Sequence, residues 1–526
     1  MSPQDPGADR PVTGRLLEGP APLLASSAYR LELQSARALM PELALADLAH
    51  ILALLDGGLL PPAPARELIA ALLQLRDATS RRALPTTTGG TTARAAAGAA
   101  EEGGIRLDPS LGDLVMNREA WLRDRVGRTA GYLLVGRPRR EAVTVAFHLA
   151  VRARILALAA ALEHVQRTLV DLAAAHVRTL AVDYTYWQPA QPTTLAHALL
   201  GYAYPIGREV ERLQAAFARA NASPAGAGCT NGTVIPLDRA AIAEQLGFDG
   251  VVLHARDANW QSDLAFELAA IAASTGLALD RLAEDLLILG TQEFGFVELA
   301  DRAARVSLAM PQKKNPYALV FVRGVAARLL GRLAGAGAIA KTASGQPDPR
   351  IFAQDEVPDS LELAEQSAAV MGEVLAGIRF DRARLEAAAR RNYLAGNDLA
   401  ERIMYLRELP FGEAHRIVGA AVRRALEAGD DRDGIDAARL DAAAIEVTGG
   451  PLGLADADVR EALDPAAAVA RRTGIGGAAP VAARRMIGER RGALRRQRRW
   501  LAARADSIER AESSLIRRAR EAAGSG

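Results

Sequence analysis

Phe147, Val151, Ile155, Leu158, Leu162, Val165, Leu169 and Leu172 step along the chain by alternating threes and fours. Residues three and four apart share one face of a helix, so this is an amphipathic stripe. No Gly or Pro interrupts the chain between Arg139 and Trp187. The pattern therefore predicts one rod of roughly 40 residues and about 60 Å, far longer than an average globular helix. A second helical region runs from Ser27 to Arg76, broken at Gly57-Gly58 and again by Pro61, Pro62 and Pro64. Further helices are predicted over about 254–291, with one Gly at 276, over 316–340 and over 480–522. Residues 1–20, rich in Pro, Gly and Asp, are expected to lack fixed structure, and 85–104 reads as a small-residue loop. Strand-like alternation is confined to short pieces, so the expected fold class is all-α. Rods of this length imply a bundle whose Ala-rich faces pack against other subunits.

Composition agrees with helices. Half of the 526 residues are apolar and only 4% are aromatic, with Ala and Leu dominant. A net charge of +2 argues against nucleic acid or an anionic membrane as the main partner. The Arg-heavy end (Arg490-Arg491, Arg495-Arg496, Arg498-Arg499) is interspersed with Glu and Asp, which favours a partner-packing helix over a nucleic-acid arm. One cysteine, Cys229, leaves no intramolecular disulfide and no multi-cysteine metal site. The histidines show no His-x3-His pair, and no metal is expected. With no signal segment or membrane-length uncharged run recognised, the chain is expected to be soluble and cytoplasmic.

Lysine changes the picture. Of 64 Lys+Arg, only Lys313, Lys314 and Lys341 are lysines, and two of them stand together in Met310-Pro-Gln-Lys-Lys-Asn-Pro316, just past Ser307. A compact ammonium and a neutral amide near a serine suit the holding and deprotonation of a carboxylate substrate, although the same residues also fit a solvated turn. Two further segments carry candidate chemistry. Gly136-Arg-Pro-Arg-Arg-Glu141 sets Arg139 and Arg140 at the start of the long helix as an anion receiver. Asp183-Tyr-Thr-Tyr-Trp-Gln-Pro-Ala-Gln-Pro192 is expected to end that helix and hold Thr185, Tyr186 and Gln188 on irregular backbone.

Together these residues carry a resemblance. Met310 to Pro316 resembles the signature of the fumarase/aspartase superfamily, in the Gln-Lys-Lys-Asn form of argininosuccinate lyase. Asp183–Pro192 and Leu134–Glu141 resemble two more family segments, as do Leu282–Leu286, Glu293–Val297, Leu409–His415 and Asp464–Arg472, covering about 27–490 in order. The resemblance implies three helical domains (27–135, 136–378 and 379–526, after an unstructured 1–26) in a homotetramer with active sites shared between subunits. It implies β-elimination from a substituted succinate, with release of fumarate and without metal or organic cofactor. Carried over by position, Ser307 is the base that takes the Cβ proton. Lys313 and Asn315 hold the carboxylate on which charge develops, and Thr185, Gln188 and Arg139 hold the other. Arg140, Met310 and Gln354 complete the substrate-binding set.

The departures from the family are concerted. Tyr186 stands where the family has its catalytic histidine, and Val320 where it has that histidine's glutamate partner. Arg140 replaces an asparagine, Val357 a lysine, and Gln261-Ser262-Asp263 an Asp-Arg-Asp. The base half of the site is kept and the acid half is changed. A guanidine leaving group is strongly basic and needs a proton as it departs, so argininosuccinate is not the expected substrate. Tyr186 or His254 supplies a proton to another nitrogen group, or the leaving group needs none, as with nitrite from nitrosuccinate. The alternative is a silent homologue acting as scaffold or partner subunit.

Overall fold

The computed structural model describes residues 19–80, 101–102, 105–346, 348–430 and 434–524. The expected unstructured opening up to residue 18 and most of the loop at 85–104 lie outside the described residues. Helical winding already begins at Pro22, inside the segment 1–26 expected to be unstructured. The principal helices are α1 Ala36–Asp56, α2 Pro62–Ser80, α3 Leu114–Val126 and α4 Arg139–Ala175, followed by the hairpin β1 Leu180–Thr185 and β2 Gln188–Thr194. Then come α5 Leu195–Ala220, α6 Ala255–Trp260, α7 Asp263–Leu289, the short pair β3 Arg305–Val306 and β4 Lys314–Asn315, α8 Tyr317–Ala340 and α9 Asp348–Gly377. The chain closes with α10 Gly396–Arg407, α11 Phe411–Glu427, α12 Ala437–Thr448 and α13 Pro480–Ala523. Among the described residues strands occur only as two-stranded pairs, so the all-α expectation holds.

The long rod α4 is the axis of the molecule. Pro138 sets extended backbone ahead of it (φ −71°, ψ 156°), and its stripe from Phe147 to Leu169 is buried against α5, α9, α1 and α13. It ends at Ala175, shorter than the Gly/Pro-free run suggests, because the residues after it pair as a strand. By length and composition Pro22–Asp56 and Arg139–Ala175 could each cross a membrane, contrary to the expectation that no run does so. However, 67% of each apolar window is buried inside the fold, as in core helices. A second, separate core joins Tyr393, Leu399, Ile417 and Leu440 from α10–α12 and the residues around them. The expected division at 379 does not hold for α13, which returns to the main core against α2 and α4. Its arginines are tied down there: Arg498 to Glu163 at 2.6 Å, Arg504 to Asp249 at 2.9 Å and Arg518 to Asp56 at 2.8 Å.

A buried ion triad fixes the approach to α4. Asp47 on α1, fully buried, accepts hydrogen bonds from Arg118 of α3 and from Arg137 at 2.5 Å each; these side chains are 2% and 3% exposed. His50, one turn along α1, is also buried, and burial together with the positive field of Arg137 pushes its imidazole well below the usual histidine range. The fold thus keeps a neutral ring where the unfolded chain takes up a proton near pH 6.5. Stability is full above that pH and declines as the pH falls below it. Melting curves between about pH 7.5 and about pH 5 are expected to show this decline, and a His50→Asn chain a shallower one. Equal slopes in the two chains would exclude His50 as its source.

Candidate active site

The signature run is a loop closed by a minimal ladder. Arg305 pairs with Asn315 and Val306 with Lys314, so Ser307–Lys313 project between them. Ser307 Oγ accepts the Met310 backbone N–H at 3.1 Å, and the Lys313 N–H donates to the Met310 carbonyl at 3.0 Å. A donor aimed at Oγ favours the anionic form of the hydroxyl, which a serine acting as a base requires. The two lysines do different things. Lys314 donates to the Leu299 carbonyl at 2.6 Å and pairs with Asp301 at 2.7 Å, straps that hold the base of the loop. The hydrogen bond to Asp301 raises its ammonium above the ordinary lysine value. Lys313 has no carboxylate within ion-pair distance among the described residues, and like Met310 it is exposed. Asn315, half-buried, ends the ladder.

Thr185, Tyr186 and Gln188 lie on a β-hairpin, which corrects the expectation of irregular backbone. Thr185 pairs with Gln188, and Tyr186 and Trp187 form the two-residue turn with φ of +53° and +56°. Two successive left-handed residues are the geometry of a type I′ turn, where Asn and Gly are the usual occupants. Trp187 rests on Phe294 and Tyr184, with ring centroids 6.2 Å away in each case. Tyr186 points outward, 98% exposed. At the other end of the hairpin Arg472 donates to the Pro192 carbonyl at 2.6 Å and pairs with Asp398 at 2.7 Å, clamping it to the α10–α12 unit.

At the start of α4, Arg139 pairs with Asp113 at 2.9 Å, so part of its charge is already answered within the chain. Arg140 lies over the Trp260 ring at 4.0 Å. Buried Glu141 accepts the backbone N–H groups of Gly226 and Gly228, which pins the loop that follows α5. His254 caps α6: its Nδ1 accepts from Arg256 N at 3.2 Å and Asp257 N at 3.4 Å, so the neutral ring carries its proton on exposed Nε2. Gln354 is half-buried in the early part of α9. Val320, on the first turn of α8, is 52% exposed.

Among the described residues no hydrogen bond, ion pair or ring contact joins the Ser307 loop, the Thr185 hairpin and the start of α4; Lys313, Thr185, Tyr186, Gln188 and Arg139 are exposed, while Ser307, Asn315 and Arg140 are half-buried. Sequence reasoning missed the Asp47 triad, the strapping of Lys314 and the Trp260 platform. All three depend on which distant side chains meet, and residue types along the chain do not encode that.

A family model described as Lyase matches residues 105–331, and one described as Argininosuccinate lyase C-terminal matches residues 393–470. The argininosuccinate lyase of Methanoculleus marisnigri is 36% identical over 484 residues, which is 90% of this chain and 92% of that protein. The chain belongs to the argininosuccinate lyase family. Among solved structures, EDDS lyase in complex with formate superposes with a TM-score of 0.83 at 26% identity, covering 96% of this chain and 97% of its own. A variant of EDDS lyase with bound fumarate gives 0.82 at 27%, covering 99% of each. As a family member the chain is a carbon–nitrogen lyase of the fumarate-releasing kind.

Proposed function

We propose that this lyase removes a nitrogen group less basic than guanidine from a substituted succinate, and that argininosuccinate is not its substrate. Ser307 takes the Cβ proton, the electron pair left behind forms the C=C bond of fumarate, and the Cα–N bond breaks. Lys313 and Asn315 hold the carboxylate that gathers negative charge as the proton leaves, which is where fixed positive charge lowers the barrier most. Thr185, Gln188 and Arg139 hold the second carboxylate, with Arg140, Met310 and Gln354 on the leaving side. The observation that carries this reading is the division between the lysines: Lys314 is committed to Asp301 and Leu299, while Lys313, beside Ser307, has no carboxylate partner among the described residues.

Completion by neighbouring copies in a homotetramer is supported by the open faces of the three segments. It is also supported by the outer side of α8, where Val320, Gly324, Ala327, Gly331, Ala334 and Ala338 are all exposed at spacings of four and three. A seam of such small residues admits a closely packed second helix.

A Tyr186 hydroxyl could protonate a departing amine, whereas nitrite from nitrosuccinate needs no proton; the exposed tip and Val320 in place of glutamate favour the second course. Fumarate release is to be measured across nitrosuccinate, N-substituted aspartates and argininosuccinate, with the native chain and with Tyr186→Phe. The expected result is release from a substrate other than argininosuccinate, with turnover kept in Tyr186→Phe when nitrite leaves. Efficient cleavage of argininosuccinate alone would overturn the reading.

A further inference from the structure

Arg140 and Arg256 share one indole. The Arg140 guanidinium lies 4.0 Å from the Trp260 ring centroid and that of Arg256 lies 5.8 Å from it. The platform itself is fixed, because Trp260 Nε1 donates to the Cys229 carbonyl at 2.7 Å. Arg256 is steadied from the other side by Ser344 Oγ at 3.3 Å, in the segment between α8 and α9. Both guanidinium groups draw on the same ring, which attracts a cation within about 6 Å of its centroid. Asp113 is paired with Arg139, Glu141 accepts two backbone N–H groups, and Asp257 is exposed on α6 one residue beyond Arg256. Neither guanidinium has a carboxylate within ion-pair distance among the described residues. Burial, together with repulsion from Arg139, holds the Arg140 guanidinium below its ordinary value, although the Cys229 thiol partly offsets this.

The geometry points to Arg140 and Arg256 as a receptor for a planar two-oxygen group, anionic when bound or as it leaves, on the leaving side of the substrate. This rests on the elimination reading above, since Arg140 adjoins Arg139 on the first turn of α4. Guanidinium forks match such a plane with paired N–H donors. The group is either a nitro group, neutral while bound to carbon and gathering negative charge on its two oxygens as it leaves as nitrite, or a carboxylate carried by a departing amine. A leaving group without such an oxygen pair gains nothing from these two arginines.

Three probes separate the possibilities: nitrosuccinate, N-(carboxymethyl)aspartate and its neutral amide N-(carbamoylmethyl)aspartate. Their dissociation constants are measured by calorimetry on the full-length chain carrying Ser307→Ala, so that binding is read without turnover. At least one of the two probes with a planar two-oxygen group, nitrosuccinate or N-(carboxymethyl)aspartate, is expected to bind about tenfold or more tightly than the amide, a ratio within reach of charge-assisted hydrogen bonds. The ratio is expected to fall to within about twofold when Arg140→Gln and Arg256→Gln are added, and to survive in part in Arg256→Lys, which keeps the charge and loses the fork. Whichever of these two probes loses more affinity identifies the source. If the double variant does not fold, Arg256→Gln alone, at a half-exposed position, serves the same purpose. Equal binding of the amide and these two probes, or a ratio untouched by the substitutions, overturns the assignment. Selective binding without fumarate release in the native chain would leave this receptor standing and count against the elimination chemistry instead.

Discussion

Replacing Ser307 by alanine is expected to reduce fumarate release by about 10²–10⁴-fold, the range that a positioned general base contributes. KM is expected to change little, because the groups that hold the substrate's carboxylates remain. The prediction follows from the loop's construction. Its ladder is two residue pairs long, its base is strapped by Lys314, and one backbone N–H points at Ser307 Oγ. Alanine removes the oxygen while leaving the ladder, the straps and the Lys313–Met310 turn unchanged. A loss through misfolding would therefore appear as a lowered melting temperature, and none is expected. Activity within twofold of native would refute Ser307 as the base whatever substrate is used.

Asp47→Ala is expected to destabilise the chain by about 3–5 kcal/mol, measured as a shift in the urea unfolding midpoint at unchanged slope. The size comes from what is left behind. Arg118 and Arg137 are almost wholly buried, and each already has one nitrogen without a hydrogen-bond partner, Arg118 Nε and Arg137 Nη2. Removing the carboxylate leaves two cations enclosed beside neutral His50 with nothing to balance them. Replacing all three members by apolar residues of similar volume is expected to cost far less, since the penalty arises from unpaired charge and not from lost attraction. Arg137 leads directly into Arg139 and Arg140, so loosening the triad is also expected to weaken substrate binding. A midpoint within about 1 kcal/mol of native would mean that water or a rearranged acid answers the arginines.

Where a helix was bounded by local punctuation, the sequence was enough to place it. Pro138 and Pro480 mark the starts of α4 and α13, and the expected spans 316–340 and 480–522 lie within one residue of α8 and α13. Where the boundary depends on a distant partner it was not legible. Leu180–Thr185 contains no breaker, and it becomes a strand only because Gln188–Thr194, with two prolines, folds back on it. The region 254–291 reads as one helix, yet Gln261 is extended (ψ 151°) and separates α6 from α7, bringing Trp260 to Arg140. The residue types of the site were legible in the same limited sense. Ser307, Lys313 and Asn315 stood out by composition and motif. The difference between Lys313 and Lys314 is set by Asp301 and the Leu299 carbonyl, through side-chain directions that no spacing rule encodes.

The hairpin tip bears on whether this protein still works for a living cell. Two aromatic residues in left-handed conformation cost of order 1 kcal/mol each relative to Gly or Asn. Trp187 recovers its share against Phe294 and Tyr184, but Tyr186, 98% exposed, recovers nothing inside its own chain. In a scaffold with no role for this turn, Asn or Gly at position 186 would relax the backbone with no packing lost, whereas Trp187 is held by its ring contacts. A bulky phenol at a position that penalises it fits a turn in use, and under the proposed assembly that use would lie beyond the surface of its own subunit.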